Sequence, residues 1–171
     1  MNIIGIDPGK SGGIAFYDGS LTEVFVMPNS VALKRDLLKA FLVSGQIVVC
    51  YIEDVHSMPR DGVKGAFSFG YGLGELYGIL STLRVPVIAV TPQAWHKAVY
   101  GTAAKPEDWK AYAVEQATLH YPQLVENHVG KSGRKVKYPD GMAEALMILR
   151  YGLLQERNTE VQERILTGAM R

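Results

Sequence analysis

Apolar and polar positions alternate over short spans at the start of the chain and recur at helical spacing later on. Residues 3–7 form an apolar run that ends on Asp7-Pro8-Gly9, the pattern of a buried strand closing in a sharp turn. Residues 12–18 and 21–27 predict two further strands, with Asp18-Gly19 as the hairpin dipeptide between them. Three strands joined this tightly make an antiparallel meander. After Ser30, a residue suited to cap a helix, Leu33, Leu37, Leu38, Phe41 and Leu42 repeat at helical spacing until Gly45 stops them. Residues 46–53 and 85–90 are continuous β-branched runs, as expected of strands covered on both faces. A long helix is predicted over 64–83 despite its glycines. Pro92 and Pro106 mark first helical turns and predict helices over 93–100 and 107–120. Residues 142–154 read as the last strong helix, and 155–171 as a weaker helix or tail.

This order predicts an α/β fold: a mixed five-stranded sheet, three antiparallel strands then parallel strands, flanked by helices. A chain of 171 residues is the size of one domain. We expect that domain over residues 1–157, with 158–171 as a C-terminal helix or tail. A composition of 47% hydrophobic and 20% charged residues is that of a globular protein. No apolar run is long enough to span a bilayer and the first residues lack a basic lead, so a cytoplasmic protein without a membrane partner is expected. The lone Cys50 excludes an internal disulfide and fits burial as a small hydrophobe. A net charge of +1 offers no general attraction to nucleic acid, so any such contact must be local. Lys131, Arg134, Lys135 and Lys137 form such a local cluster, just before Asp140.

The acids carry the chemistry. Asp7 and Glu53 each end a predicted central strand, and strand ends are where open α/β sheets place ligands. Asp140 and Glu144, four positions apart, share one face of the last helix. If that helix crosses the same sheet edge, four carboxylates converge and repel one another unless a divalent cation holds them. Hard oxygen ligands suit Mg2+, and two such ions about 3.5–4 Å apart are the usual equipment for hydrolysing a phosphodiester. Singly, Asp7 also fits a turn residue, Glu53 a solvated strand end and Asp140 a helix cap. Acids at the ends of three separate elements favour the joint reading.

Gly5-Ile6-Asp7-Pro8-Gly9 with Gly12-Gly13-Ile14-Ala15, then Ile52-Glu53, then Asp140-Gly141-Met142-Ala143-Glu144-Ala145-Leu146, resembles the RuvC-type Holliday junction resolvases, in particular the phage-encoded branch. The resemblance extends to about residue 154. It implies an RNase H-like fold, a homodimer, dependence on Mg2+ or Mn2+ with two ions per site, and nicking of four-way DNA junctions, in the host cytoplasm if the chain is phage-encoded. By motif, Asp7, Glu53, Asp140 and Glu144 become the metal ligands. The final acidic pair is spaced by four where cellular members have three, and the segment around Glu144 matches best. Lys110 takes the place of a basic residue near the scissile phosphate, with Lys97 a second candidate. His56, three residues after Glu53, stands where relatives present an aromatic wedge. Branched DNA would then meet His56, Lys97, Lys105, Lys131, Arg134, Lys135 and Lys137, with binding that weakens steeply in salt. No partner helicase is indicated.

Actin- and sugar-kinase-type phosphotransferases open with a related strand-turn, but they need a second such turn and two lobes. A related nuclease acting on RNA, or a junction binder without catalysis, would also fit these residues. Gly70, Gly74 and Gly78 recur every fourth residue within the long helix. Each costs about 0.8–1 kcal/mol relative to alanine. Close packing, onto the sheet or across a dimer seam, would offset that cost.

Overall fold

β1 (Asn2–Asp7), β2 (Gly13–Tyr17) and β3 (Thr22–Val26) form the antiparallel meander. β4 (Val48–Glu53) and β5 (Val87–Val90) join it in parallel, giving the sheet order β3-β2-β1-β4-β5. This is the mixed sheet expected from the sequence. The computed structural model describes residues 2–42, 48–55, 62–130 and 138–166. The β2–β3 hairpin is held by Asp18, whose Oδ1 accepts from the Ser20 and Leu21 amides at 2.8 and 2.7 Å.

The helices are α1 (Val31–Ala40), α2 (Gly62–Thr82), α3 (Pro92–Tyr100), α4 (Trp109–His120), α5 (Pro122–Gly130) and α6 (Asp140–Leu166). The period-two alternation of the strands divides the core into two layers. Ile4, Ile6, Cys50 and Ile52 face Leu38, Leu76 and Leu80 of α1 and α2. Ile3 and Tyr51 face the other way, toward Trp95, Ala113, Leu146 and Met147 of α3, α4 and α6. Asp7 and Glu53 have the same parity as Ile3 and Tyr51, so strand geometry sends them toward the α6 layer.

α6 lies directly on β1. A Cβ at Gly5 would fall 2.6 Å from the Ala145 carbonyl oxygen and 2.7 Å from the Leu149 Cα, so only glycine permits the approach. At the other end a Cβ at Gly141 would fall 2.5 Å from the Gly12 Cα. These two contacts fix the direction of the helix: its first turn sits on the β1–β2 turn, beside Asp7, and it runs back along the strand.

Several elements differ from expectation. β5 spans only 87–90 and is an edge strand with Ile88 exposed, so the β-branched run does not signal burial on both faces. α4 begins at Trp109, not at Pro106, because the Asp108 carboxylate caps it by accepting from the Lys110 and Ala111 amides. The sequence pattern does not predict α5: its nine residues give too few turns for Leu124, Val125 and Val129 to stand out as a helical period. α6 starts at Asp140 and continues without a break to Leu166. Gly45 lies outside the described residues. Among the described residues no helix is long and apolar enough to cross a membrane.

Candidate active site

Three elements bring the acids to one rim. β1 and β4 are parallel with Ile6 opposite Ile52, which sets Asp7 and Glu53 as the next residues at adjacent strand ends. Glu144 stands one turn into α6, the single residue between Gly141 and Leu149 that is not buried. A lone acid in the otherwise apolar, buried stretch 141–149 breaks the local pattern, which is characteristic of functional positions. Asp140 opens the same helix.

Each carboxylate has a distinct setting. Asp7 is 9% exposed, and its Oδ1 accepts from the Gly9 amide at 3.0 Å. Its burial raises its pKa above the usual carboxylate range, against the Gly9 hydrogen bond and Lys110, which lower it. Glu53 Oε1 accepts from the indole Nε1 of the fully buried Trp95 at 2.9 Å. Burial pushes Glu53 up to about 7, with Asp7 adding to the effect and Trp95 opposing it. Burial also pushes Glu144 up to about 8, reinforced by Asp7, Glu53 and Asp140. Lys110 Nζ donates to Asp140 Oδ2 at 2.8 Å, and this bond raises the lysine pKa. The four acids and Lys110 therefore share one electrostatic neighbourhood.

Among the described residues no three Asp, Glu, His or Cys side chains close into a ready-made ion cage. Two of the four acids are already engaged by side chains, Glu53 by an indole and Asp140 by an ammonium. The donor set nonetheless suits a hard divalent cation, which keeps several of its waters and needs only a few carboxylates. Raised carboxylate pKa values also mean that one lysine does not compensate the buried negative charge. A divalent cation would.

Among the other expected site residues, Lys97 is exposed on α3 and Lys105 is exposed on the connection to α4. His56, Lys131, Arg134, Lys135 and Lys137 lie outside the described residues. Sequence reading missed Trp95 and Tyr100. Apolar spacing on α3 would place Trp95 inward, but nothing in the sequence pairs its indole with Glu53. The Tyr100 hydroxyl is buried without a hydrogen-bond partner among the described residues, and it feels Glu144 and Glu53. Burial holds it well above the usual phenol range, so it remains a neutral hydroxyl.

The raised pKa values make a prediction about stability. An acid whose folded pKa exceeds its unfolded value, here 4.5, destabilises the fold progressively as pH climbs, and the penalty is complete above the folded value. Metal-free protein should therefore lose thermal stability as pH rises from about 5 to about 9. Glu144→Gln should flatten that slope and gain about 1–2 kcal/mol at the alkaline end. Parallel pH–stability curves for the two proteins would contradict this account.

No protein-family model and no curated protein matches the chain. Its architecture is that of an RNase H-like fold, the mixed sheet of five strands with α6 laid over β1. Among solved structures, that of Thermus thermophilus RuvC is similar, with a TM-score of 0.58 and 20% identity over 93% of this chain and 97% of that one. The structure of T. thermophilus RuvC in complex with a Holliday junction substrate is similar at a TM-score of 0.55 and 20% identity, covering 92% of this chain and 96% of that one. The chain thus has a RuvC-like fold.

Proposed function

We propose that the chain is a Mg2+-dependent, structure-specific endodeoxyribonuclease that nicks four-way and other branched DNA. On the motif resemblance we place it in the phage-encoded branch of the RuvC-type resolvases, acting in the host cytoplasm. The observation that carries this reading is the gathering of Asp7, Glu53, Asp140 and Glu144, from β1, β4 and α6, around one lysine at a single sheet rim. The similar structure of T. thermophilus RuvC with a junction substrate supports the choice of DNA over RNA.

Asp7, Glu53, Asp140 and Glu144 would hold Mg2+ or Mn2+, two ions per site. Bound there, the metal supplies Lewis acidity toward a phosphate oxygen and eases deprotonation of the attacking water. The chain contributes the rest. The Gly9 amide and the Trp95 indole orient one oxygen each of Asp7 and Glu53, so these carboxylates are aimed before substrate arrives. Lys110 remains cationic and solvent-exposed, able to transfer its hydrogen bond from Asp140 to an incoming phosphate. Attack on phosphorus with expulsion of the 3′ oxygen would leave a 5′-phosphate and a 3′-hydroxyl.

Labelled four-way junction, flap, linear duplex and RNA substrates, each with and without Mg2+, test the reading. Metal-dependent nicking concentrated on the four-way junction is expected. Preferential cleavage of RNA would make the chain an RNA nuclease instead, and junction binding with no cleavage in any metal would make it a non-catalytic binder.

We also propose a homodimer built on α2. A Cβ at Gly70, Gly74 or Gly78 would meet nothing within 4 Å among the described residues, so these glycines are not explained by packing onto the sheet. The same helix exposes Val63, Phe67 and Tyr71. A twofold pairing of this face would present two identical sites to a two-fold junction. Gly74→Leu has room in the single chain and improves helix propensity by roughly 1 kcal/mol, so the monomer should fold. Light scattering is expected to show half the wild-type mass; an unchanged mass would remove α2 from the interface.

A further inference from the structure

Beside the carboxylates, between α3 and the start of α4, lies an open groove of about 710 Å3 lined by Gln93, His96, Lys97, Gly101, Thr102 and Trp109. Its two aromatic walls are the chain neighbours of residues that bond to the site. His96 follows Trp95, whose indole holds Glu53, and Trp109 precedes Lys110, whose ammonium holds Asp140. Tyr100, 5.5 Å from His96 and within the field of Glu144 and Glu53, ties the groove to the neighbourhood of the acids.

The two rings close on each other, so the groove offers one aromatic stack and no slot between them. His96 and Trp109 stack nearly parallel, with ring centroids 4.0 Å apart and an interplanar angle of 14°. Trp95 meets His96 edge-on at 4.0 Å, and Tyr100 lies beside both rings, 5.5 Å from His96 and 5.9 Å from Trp109. Both His96 and Trp109 remain only half buried. Burial also lowers the His96 pKa, which leaves its ring neutral near pH 7. The rim adds a cation, Lys97, together with the amide of Gln93 and the hydroxyl of Thr102.

We propose that this groove seats one unpaired nucleotide of the strand being cut, its base against the His96–Trp109 stack and its phosphate near Lys97. The inference rests on the nuclease reading and adds to it a subsite. A volume near 710 Å3 falls within the range of clefts that enclose small ligands and is far too small for a duplex. Branch points supply bases that are unpaired or cheaply unstacked, and aromatic platforms accept any base because every base has a π-face. Gln93 is the residue placed to distinguish base edges, since its amide both donates and accepts. The strand would thus be gripped close to the scissile phosphate.

An abasic scan tests this. Junctions lacking one base at successive positions around the cut are titrated without divalent ions against the wild-type protein, Trp109→Phe and Trp109→Ala. At one position next to the cut, loss of the base should weaken wild-type and Trp109→Phe binding by about tenfold. It should leave Trp109→Ala, already weaker, unaffected. Gln93→Ala, a rim change that spares the stack, should redistribute nicks among junction sequences. Equal abasic effects at every position, or an equal loss in Trp109→Ala, would overturn the subsite while leaving the nuclease reading intact. Failure of the wild-type protein to bind or nick any junction would overturn both.

Discussion

Replacing Asp7 with Asn is expected to abolish metal-dependent nicking while junction binding persists. The substitution is isosteric, and its amide oxygen can still accept from the Gly9 amide, so the turn after β1 should survive. What disappears is the buried carboxylate whose charge both Glu53 and Glu144 feel. Losing a direct cation ligand forfeits several kcal/mol of charge stabilisation, a rate loss of about 10³-fold or more. The same change relieves the repulsion that Asp7 exerts on Glu53 and Glu144, so the metal-free protein should melt higher than wild type at pH 8. Slower nicking paired with greater stability is the signature to seek. Nicking within tenfold of wild type would remove Asp7 from the ligand set.

The second large effect is structural. Gly5→Ala adds one methyl group in the middle of the central strand, against the backbone of α6 at Ala145 and Leu149. Backbone atoms cannot rotate aside as a side chain would, so the helix has to lift or the strand has to bend. Overpacking of this kind costs about 1–3 kcal/mol and occasionally more, and here the upper part of that range is expected. For a chain of this length each kcal/mol lowers the midpoint by roughly 2–4 °C. Because α6 also carries Asp140 and Glu144, the variant should lose metal affinity beyond what its stability predicts. A denaturation midpoint equal to wild type would show that α6 tolerates displacement from β1.

Most of the sheet was legible because its strands announce themselves locally. Asp7-Pro8-Gly9 and Asp18-Gly19 are turn chemistry, and the isoleucine-rich run of β1 sits buried as its pattern demands. Their order restricted the topology to few choices. Asp7, Glu53, Asp140 and Glu144 could be picked out as strand-end and helix-start acids in an apolar setting. The status of β5 could not, since an edge strand and a central one can share the same β-branched composition. The hydrogen bond from Trp95 to Glu53 joins residues 42 positions apart and depends on where α3 lands. The stack of His96 on Trp109 likewise needs the α3–α4 connection to fold back, for which no local residue pattern exists. The outward placement of Gly74 was undecidable from spacing alone, because a glycine stripe looks the same whether it meets a sheet or solvent.

The order in which the ribosome delivers the acids has its own consequence. Asp7 and Glu53 emerge first, and Asp140 and Glu144 arrive only with α6, far along the sequence after Glu53. A nascent chain that has not yet delivered α6 holds only half of the proposed centre. On the proposed reading, cutting would have to wait until α6 has been made and has docked on β1, so unfinished copies would leave DNA intact.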